Sequence, residues 1–261
     1  MNGEVKMKKI AVLTVALLLG LGGFSTACEL IVRVPVSNAY LPYFNRHQNG
    51  DWGGLSVELA QALLADAGCK PVYKPLPFPR ALKSLKAGKI DLMLNLTATD
   101  ERREFTHFIG PQLDETVVLV VRKDSGINMI SLNGLRNLAK PIGVERGKVY
   151  GPAFEKMRAS DDQFRERLEE VTEVNLLESM LEKNRISGFL GYGYNVYHKI
   201  KTDPSYVNFK VTPYPIHTDW VYFGFSKKSV PPETVIRLQA SYNRLYEQGV
   251  FKTIIQKYRI Q

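Results

Sequence analysis

Residues 54–76, Gly54-Leu55-Ser56-Val57-Glu58-Leu59-Ala60-Gln61-Ala62-Leu63-Leu64-Ala65-Asp66-Ala67-Gly68-Cys69-Lys70-Pro71-Val72-Tyr73-Lys74-Pro75-Leu76, change period part-way through. Leu55, Leu59, Leu63 and Ala67 recur at helical spacing, with Ala60 and Leu64 beside them and Gly68 as the stop. Lys70 to Leu76 then reads as a strand. Upstream, Leu30-Ile31-Val32-Arg33-Val34 is another strand. Downstream, Pro79 opens a helix through Leu82 and Leu85 that stops at Gly88. Ile90 to Leu96 is a third strand, Thr99 caps a short helix beginning Asp100-Glu101, and Val117 to Val121 is a buried strand.

A polar break, Arg122-Lys123-Asp124-Ser125-Gly126, separates this set from a second one. The second set has strands over 141–145, 168–174 and 187–190 and helices near 150–158, 176–181 and 192–200. Asn208 to Val211 leads to a second break at Pro213 and Pro215. Beyond it lie an apolar run, Trp220 to Phe225, a helix opened by Pro231-Pro232, and a last helix carrying Val250, Ile254 and Tyr258 after Gly249. Strand–helix alternation of this kind predicts α/β architecture with mostly parallel sheets. Two crossings between a segment, an insert and a return predict a hinged pair of lobes. Ligands then bind in the cleft beyond the carboxyl ends of the strands.

The chain has 261 residues, 44% of them hydrophobic and 23% charged, which excludes disorder, collagen and a polytopic membrane protein. The formal net charge is +9, but Lys and Arg are scattered, which fits a solvated basic surface and gives no nucleic-acid footprint. Two cysteines and four dispersed histidines provide no multi-Cys metal site, so neither a metal nor a cofactor is expected.

Lys6, Lys8 and Lys9, the apolar run Ile10 to Leu21, and small residues up to Ala27 follow the order of a secretory signal, with Met1 or Met7 as the start. Residues 1–27 are therefore expected to be a cleaved signal peptide and the mature chain to be periplasmic. Cys28 has two readings. Thr26-Ala27-Cys28 resembles part of a lipoprotein box, although Ser25 stands where that box takes an aliphatic residue. Alternatively Cys28 pairs with Cys69, because each precedes a predicted strand and parallel neighbours would bring both sulfurs to one edge. The early start of a strand after Cys28 favours the disulfide.

Tyr40-Leu41-Pro42-Tyr43-Phe44, Gly54 to Leu59, Leu85-Lys86-Ala87-Gly88-Lys89-Ile90-Asp91-Leu92, Thr97-Ala98-Thr99-Asp100-Glu101-Arg102 and Leu245 to Lys252 occur in a fixed order. Together they resemble the family 3 extracellular solute-binding proteins, the periplasmic receptors of polar amino-acid ABC importers. The likeness spans essentially the whole mature chain. It implies a two-lobed periplasmic-binding-protein-like fold of type II, two Rossmann-like lobes joined by a two-stranded hinge. Residues 28–122 plus 217–261 would form lobe 1 and 123–216 the inserted lobe 2. It also implies a small-molecule solute, an inner-membrane ABC permease as partner, a monomer, no enzymatic activity and closure about the hinge.

The resemblance carries over residue by residue. Arg102 is the arginine of the Thr-x-x-Arg motif that grips a ligand carboxylate, as a planar guanidinium near a helix start is suited to do; the alternative is a surface ion pair. Asn95 and Thr97 match strand-end contacts, and Tyr40 and Phe78 match aromatic positions that sandwich the ligand. The sequence departs from the family at two places. Tyr192 stands where an aspartate would hold an α-ammonium, and Gly147-Lys148-Val149-Tyr150 replaces a Gly-Thr-Thr anion loop. Arg80 and Lys148 are then candidates for added positive charge, and Tyr150, Tyr192 and Tyr194 for an aromatic second wall. An acidic or aromatic solute fits this set better than a glutamine- or lysine-like one.

Enzyme motifs are missing: there is no Gly-x-Ser-x-Gly, His-Glu-x-x-His or phosphate-binding Gly-x-x-x-x-Gly-Lys. Two alternatives stay open. One is a receptor for a membrane sensor. The other is a cyclohexadienyl-dehydratase-like enzyme on the same fold, with Glu145, Glu173 or Glu178 as its acid.

Overall fold

The computed structural model describes residues 28–258; the expected signal peptide and the lipobox-like residues before Cys28 lie outside them. The first half of the chain runs β1 (Cys28–Val34), β2 (Asn45–Arg46), β3 (Trp52–Gly53), α1 (Leu55–Asp66), β4 (Cys69–Pro75), α2 (Phe78–Lys86), β5 (Leu92–Leu96), α3 (Asp100–Arg103) and β6 (Thr106–Arg122). It continues with β7 (Ile142–Glu145), α4 (Pro152–Ser160), α5 (Asp162–Arg165), β8 (Leu168–Val171), α6 (Val174–Glu182), β9 (Gly188–Tyr192) and α7 (Gly193–Thr202). The return consists of β10 (Phe209–Val211), β11 (His217–Ser226), α8 (Pro232–Glu247) and α9 (Val250–Tyr258).

Among the described residues, nine strands form one sheet in the order β4-β1-β5-β11-β6-β9-β7-β8, with β10 beside β6. The expected parallel pairs are present: β1 with β4 and β5, and β7 with β8 and β9. The two groups are joined by the antiparallel pair β6 and β11, a two-stranded hinge. Along β6 the partner changes at Val117, which faces His217 on one side and Tyr192 on the other. The fold is thus the two-lobed α/β arrangement of type II periplasmic binding proteins.

Strand β6 is longer than its apolar signature, Val117 to Val121, indicates. Its first half contains Gly110-Pro111 and three polar residues in a row, Asp114-Glu115-Thr116, a pattern that reads as a break. Pairing to β11 holds it in the sheet, with a register irregularity between Val221 and Phe223.

The lobe-1 core follows from the period of α1. Leu55, Leu59, Leu63 and Leu64 are fully buried, each worth roughly 1.5–3 kcal/mol of transfer free energy. Gly54 precedes that helix at φ 100°, and a Cβ there would stand 2.7 Å from the Pro42 and Tyr43 carbonyl oxygens, so only glycine allows this approach. Cys28 and Cys69 are register partners on β1 and β4 and are joined by a disulfide. A bridge at that sulfur leaves no thiol for a lipid. A smaller cluster, Phe78, Ala81, Leu85, Ile90, Met93 and Leu96, seats α2 on the sheet and fixes Phe78.

Candidate functional site

The carboxyl ends of β1, β5, β7 and β9 point their following residues into one interlobe cluster. β1 delivers Arg33 and, just beyond it, Tyr40; β5 delivers Asn95 and Thr97; α2 and α3 deliver Phe78 and Arg102. From the other lobe come Glu145 at the end of β7, Gly147 and Lys148 in the next loop, and Tyr192 at the end of β9. Glu115 enters from β6.

Arg102 is buried, 5% exposed, so it is not a surface ion pair. The Thr99 hydroxyl caps α3 by accepting from the Arg102 backbone N–H, which sets the direction of the side chain. Its guanidinium donates from Nη1 to the Thr97 carbonyl and from Nη2 to the Gly147 carbonyl, both at 2.9 Å, the second across the lobes. Gly147 presents that carbonyl from a left-handed conformation, φ 79°. Burial holds the Arg102 pKa below the usual guanidinium range. Beside it the cleft opens into a cavity of about 580 Å³ lined by α2, α3, α4 and the 147–149 loop.

Lys148 is half-buried, with its ammonium among three aromatic faces. Its ammonium lies 4.0 Å from the Phe78 ring centre, 4.9 Å from that of Tyr192 and 5.5 Å from that of Tyr40. Contacts of this kind contribute about 0.5–2 kcal/mol each. Burial lowers the Lys148 pKa and the Arg33 and Arg102 charges reinforce this, while Glu145 and Glu115 oppose it. Phe78 also meets the guanidinium carbons of Arg33 at 5.7 Å and Arg102 at 5.8 Å. Arg33 is itself buried and donates from Nε to the Leu76 carbonyl at 2.9 Å.

Glu115 and Glu145 are both buried. Burial pushes the Glu115 carboxyl up to about 7, against the pull of Lys148, Tyr43 and Asn95. The Tyr40 and Tyr43 hydroxyls are buried without completing a hydrogen bond, although Glu145 stands beside the first and Glu115 beside the second. Neither carboxylate completes hydrogen-bond geometry with its tyrosine, so both hydroxyls carry part of their desolvation cost. Two further contacts tie the lobes together: Asn195 donates to the Ala39 and Leu41 carbonyls at 2.9 and 2.7 Å.

The residues singled out from the sequence fall into three groups. Arg102, Tyr40, Phe78, Thr97, Lys148 and Tyr192 converge. Asn95 borders the same cluster at φ 53°; its backbone N–H donates to Gln112 Oε1 at 2.9 Å and its Oδ1 accepts from Gln112 Nε2 at 3.0 Å. Tyr150 stands behind Tyr192, stacked at 6.4 Å, and its hydroxyl accepts from the Glu145 backbone N–H at 2.7 Å; it positions rather than lines the cleft. Arg80 is exposed on α2 and is not part of the cluster. Of the three carboxylates considered for acid chemistry, Glu145 is in the cluster and Glu173 near it. Glu178 is held elsewhere, by Lys199 at 2.5 Å and the Tyr206 hydroxyl at 2.6 Å.

Sequence reasoning missed Arg33, Glu115 and Asn195. Arg33 carried a signal, a lone cation inside an otherwise apolar strand, where a charge is expensive without a use. Glu115 carried none, because its strand did not read as a strand. The two buried carboxyl groups, Glu115 and Glu145, stand in the cluster although position 192 is a tyrosine.

Comparison with known proteins places this geometry in context. The family model of bacterial extracellular solute-binding proteins, family 3, matches residues 32–261. A probable histidine-binding protein of Neisseria gonorrhoeae is 23% identical over 229 residues, covering 87% of this chain and 82% of that relative. An L-arginine-binding protein of Pseudomonas aeruginosa is 25% identical over 268 residues, covering 97% and 96%. Among solved structures, a substrate-binding protein of an ABC uptake transporter from Streptococcus pneumoniae, with bound histidine, superposes with a TM-score of 0.74 at 21% identity, covering 88% of this chain and 92% of that one.

Proposed function

The chain belongs to the bacterial extracellular solute-binding proteins of family 3, and from that premise we propose that it is a periplasmic receptor that binds an amino acid between its lobes and delivers it to an ABC importer. The observation that carries this reading is the convergence of Arg33, Tyr40, Phe78 and Arg102 from one lobe with Glu145, Lys148 and Tyr192 from the other. A ligand touching both sets favours the closed state over the open one, and only such differential contact can drive closure. With residues 28–122 plus 217–261 as lobe 1 and 123–216 as lobe 2, the β6–β11 pair is the hinge. Signal-peptide cleavage before Cys28 delivers the mature chain to the periplasm.

Arg102 is the proposed carboxylate clamp. When the lobes part, the Nη2 donor that now meets the Gly147 carbonyl becomes available to a ligand carboxylate. Glu115 and Glu145 offer charge for an α-ammonium, which keeps a free amino acid within reach of the site. A thermal-shift panel of amino acids, keto acids and dicarboxylates tests this. A ligand at 100-fold its dissociation constant adds about 2.7 kcal/mol of stability. That gain is expected to vanish in Arg102→Ala while the unliganded protein still unfolds cooperatively; a variant with undiminished affinity overturns the clamp.

A second reading has one observation in its favour. A buried carboxyl near 7, as in Glu115, has the value suited to a general acid at neutral pH. Turnover of a cyclohexadienyl acid by the native chain, lost in Glu115→Gln, would replace the receptor by an enzyme.

A further inference from the structure

The aromatic cage formed by Tyr40, Phe78 and Tyr192 has the construction that recognises a cationic group, and in this chain a cation already sits in it. The ammonium of Lys148 lies within 5.5 Å of all three ring centres, with rings contributed by both lobes. Buried carboxylates, Glu145 and Glu115, face the same ammonium. The place therefore combines π-faces and negative charge, the two features that stabilise a ligand amine or guanidinium.

Arg33 and Arg102 flank the same Phe78 ring, so a second mobile cation brought here would meet three fixed positive charges around one aromatic residue. Lys148 is also tethered. It follows Gly147, whose carbonyl is held by Arg102, so its side chain returns to the cage at an effective concentration far above that of a dilute free ligand.

We propose that Lys148 is a built-in occupant of the cation seat, a specificity-determining residue that makes the cleft reject amino acids with a basic side chain and admit those with a neutral or acidic one. This rests on the receptor reading and adds the ligand class to it. Discrimination here comes from a repulsive and already filled element rather than from an extra attractive contact.

Titration calorimetry at pH 7 with arginine, glutamine and glutamate, on the native protein and on Lys148→Met and Lys148→Arg, tests the proposal. Methionine is an unbranched side chain one heavy atom shorter and uncharged; arginine restores a cation to the cage. Arginine is expected to bind Lys148→Met at least about tenfold more tightly than the native chain, a difference of about 1.4 kcal/mol. Lys148→Arg is expected to exclude it again. If the native chain binds arginine as tightly as Lys148→Met does, or more tightly, the Lys148 assignment falls and the receptor reading stands. If neither protein binds any of the three or any other amino acid, both fall. A thermal melt of each unliganded variant separates misfolding from lost binding. Should Lys148→Met fail to fold, the same comparison with Lys148→Gln decides, by the same tenfold criterion.

Discussion

The outer edge of lobe 1 and the cleft between the lobes are built on opposite plans. At the edge, β1 and β4 run in register from a disulfide, and α1 covers the sheet with fully buried leucines; the polar exceptions there are two neutral hydroxyls, Ser56 on α1 and Tyr73 on β4, buried without completing a hydrogen bond. Its ion pairs, Glu58 with Lys257 and Asp66 with Arg244, lie within one lobe. In the cleft, Arg33, Arg102, Glu115 and Glu145 are buried, Lys148 is half-buried, and the Tyr40 and Tyr43 hydroxyls are buried without completing a hydrogen bond. Burial of unpaired polar groups costs free energy. The edge stabilises the chain chiefly through local apolar packing; the cleft carries the cost of its buried charged groups. Stability and recognition are thus divided between regions, and each can be perturbed with little effect on the other.

The largest expected effect lies at the edge. Replacing Cys28 and Cys69 together by serine frees a loop with a sequence separation of 41 residues. On the chain-entropy account this lowers the unfolding free energy by about 4 kcal/mol. Denaturant unfolding checks the loss, and calorimetry with a bound amino acid should show affinity changed by less than about twofold, because the edge does not touch the cleft. A loss of affinity comparable to the loss of stability would break the division.

The same contrast explains what was legible in the sequence. The edge was legible because its physics is local: a 3.6-residue apolar period gave α1, and a short β-rich run after a glycine gave β4. The Cys28–Cys69 pair followed from placing each cysteine ahead of a strand. Along the chain the alternating elements read from the sequence emerged within a few residues of their bounds except β6, and α5 was not read. The cleft was legible only where a motif marked it, as at Arg102 with its Thr99 cap, or where an aromatic residue stood out, as at Phe78. Arg80 reads from sequence like Lys148, one cation among many, and the structure leaves the first exposed and half-buries the second against aromatic rings. Which side of a helix or loop faces the opposite lobe is a long-range property, set by the hinge and not by any local period. The polar first half of β6, and Glu115 within it, were hidden for the same reason: pairing with β11 keeps that segment extended, and its partner lies about a hundred residues away.

A medium effect is expected at Glu115, where pH separates cleft from edge. Its carboxyl has an ordinary value of 4.5 and is held at about 7 in the fold, mainly by burial. The folded chain therefore binds this proton more tightly than the unfolded chain does. Its contribution is most favourable below about 4.5 and declines as pH rises to about 7, by at most about 3 kcal/mol. Glu115→Gln removes that decline. Unfolding free energies of both proteins between pH 4.5 and 8 should converge or cross as pH rises, the variant gaining on the native chain by up to that amount. Parallel profiles would mean that Glu115 is solvated, and that the cleft does not carry the burial cost assigned to it.

The smallest effect is the sharpest test of the comparison, because it predicts opposite signs for stability and binding. The Tyr40 hydroxyl is buried without a hydrogen bond, while its ring forms one wall of the cage around Lys148. Tyr40→Phe keeps the ring, and with it most of the cation–π attraction, and removes the orphaned group. At the edge, deleting a buried methyl or methylene from the α1 leucines costs stability. Here, removal of an unsatisfied hydroxyl should leave the unliganded protein as stable as the native chain or up to about 1 kcal/mol more so, since a desolvation penalty disappears. If the hydroxyl is kept for a ligand, the same substitution should weaken amino-acid binding by about tenfold, the equivalent of about one lost hydrogen bond to a charged group. Denaturant unfolding without ligand and calorimetry with it read the two signs separately. A variant that loses stability and keeps its affinity would place Tyr40 with the core residues of the lobe, and the boundary between scaffold and site would then pass between Tyr40 and Phe78.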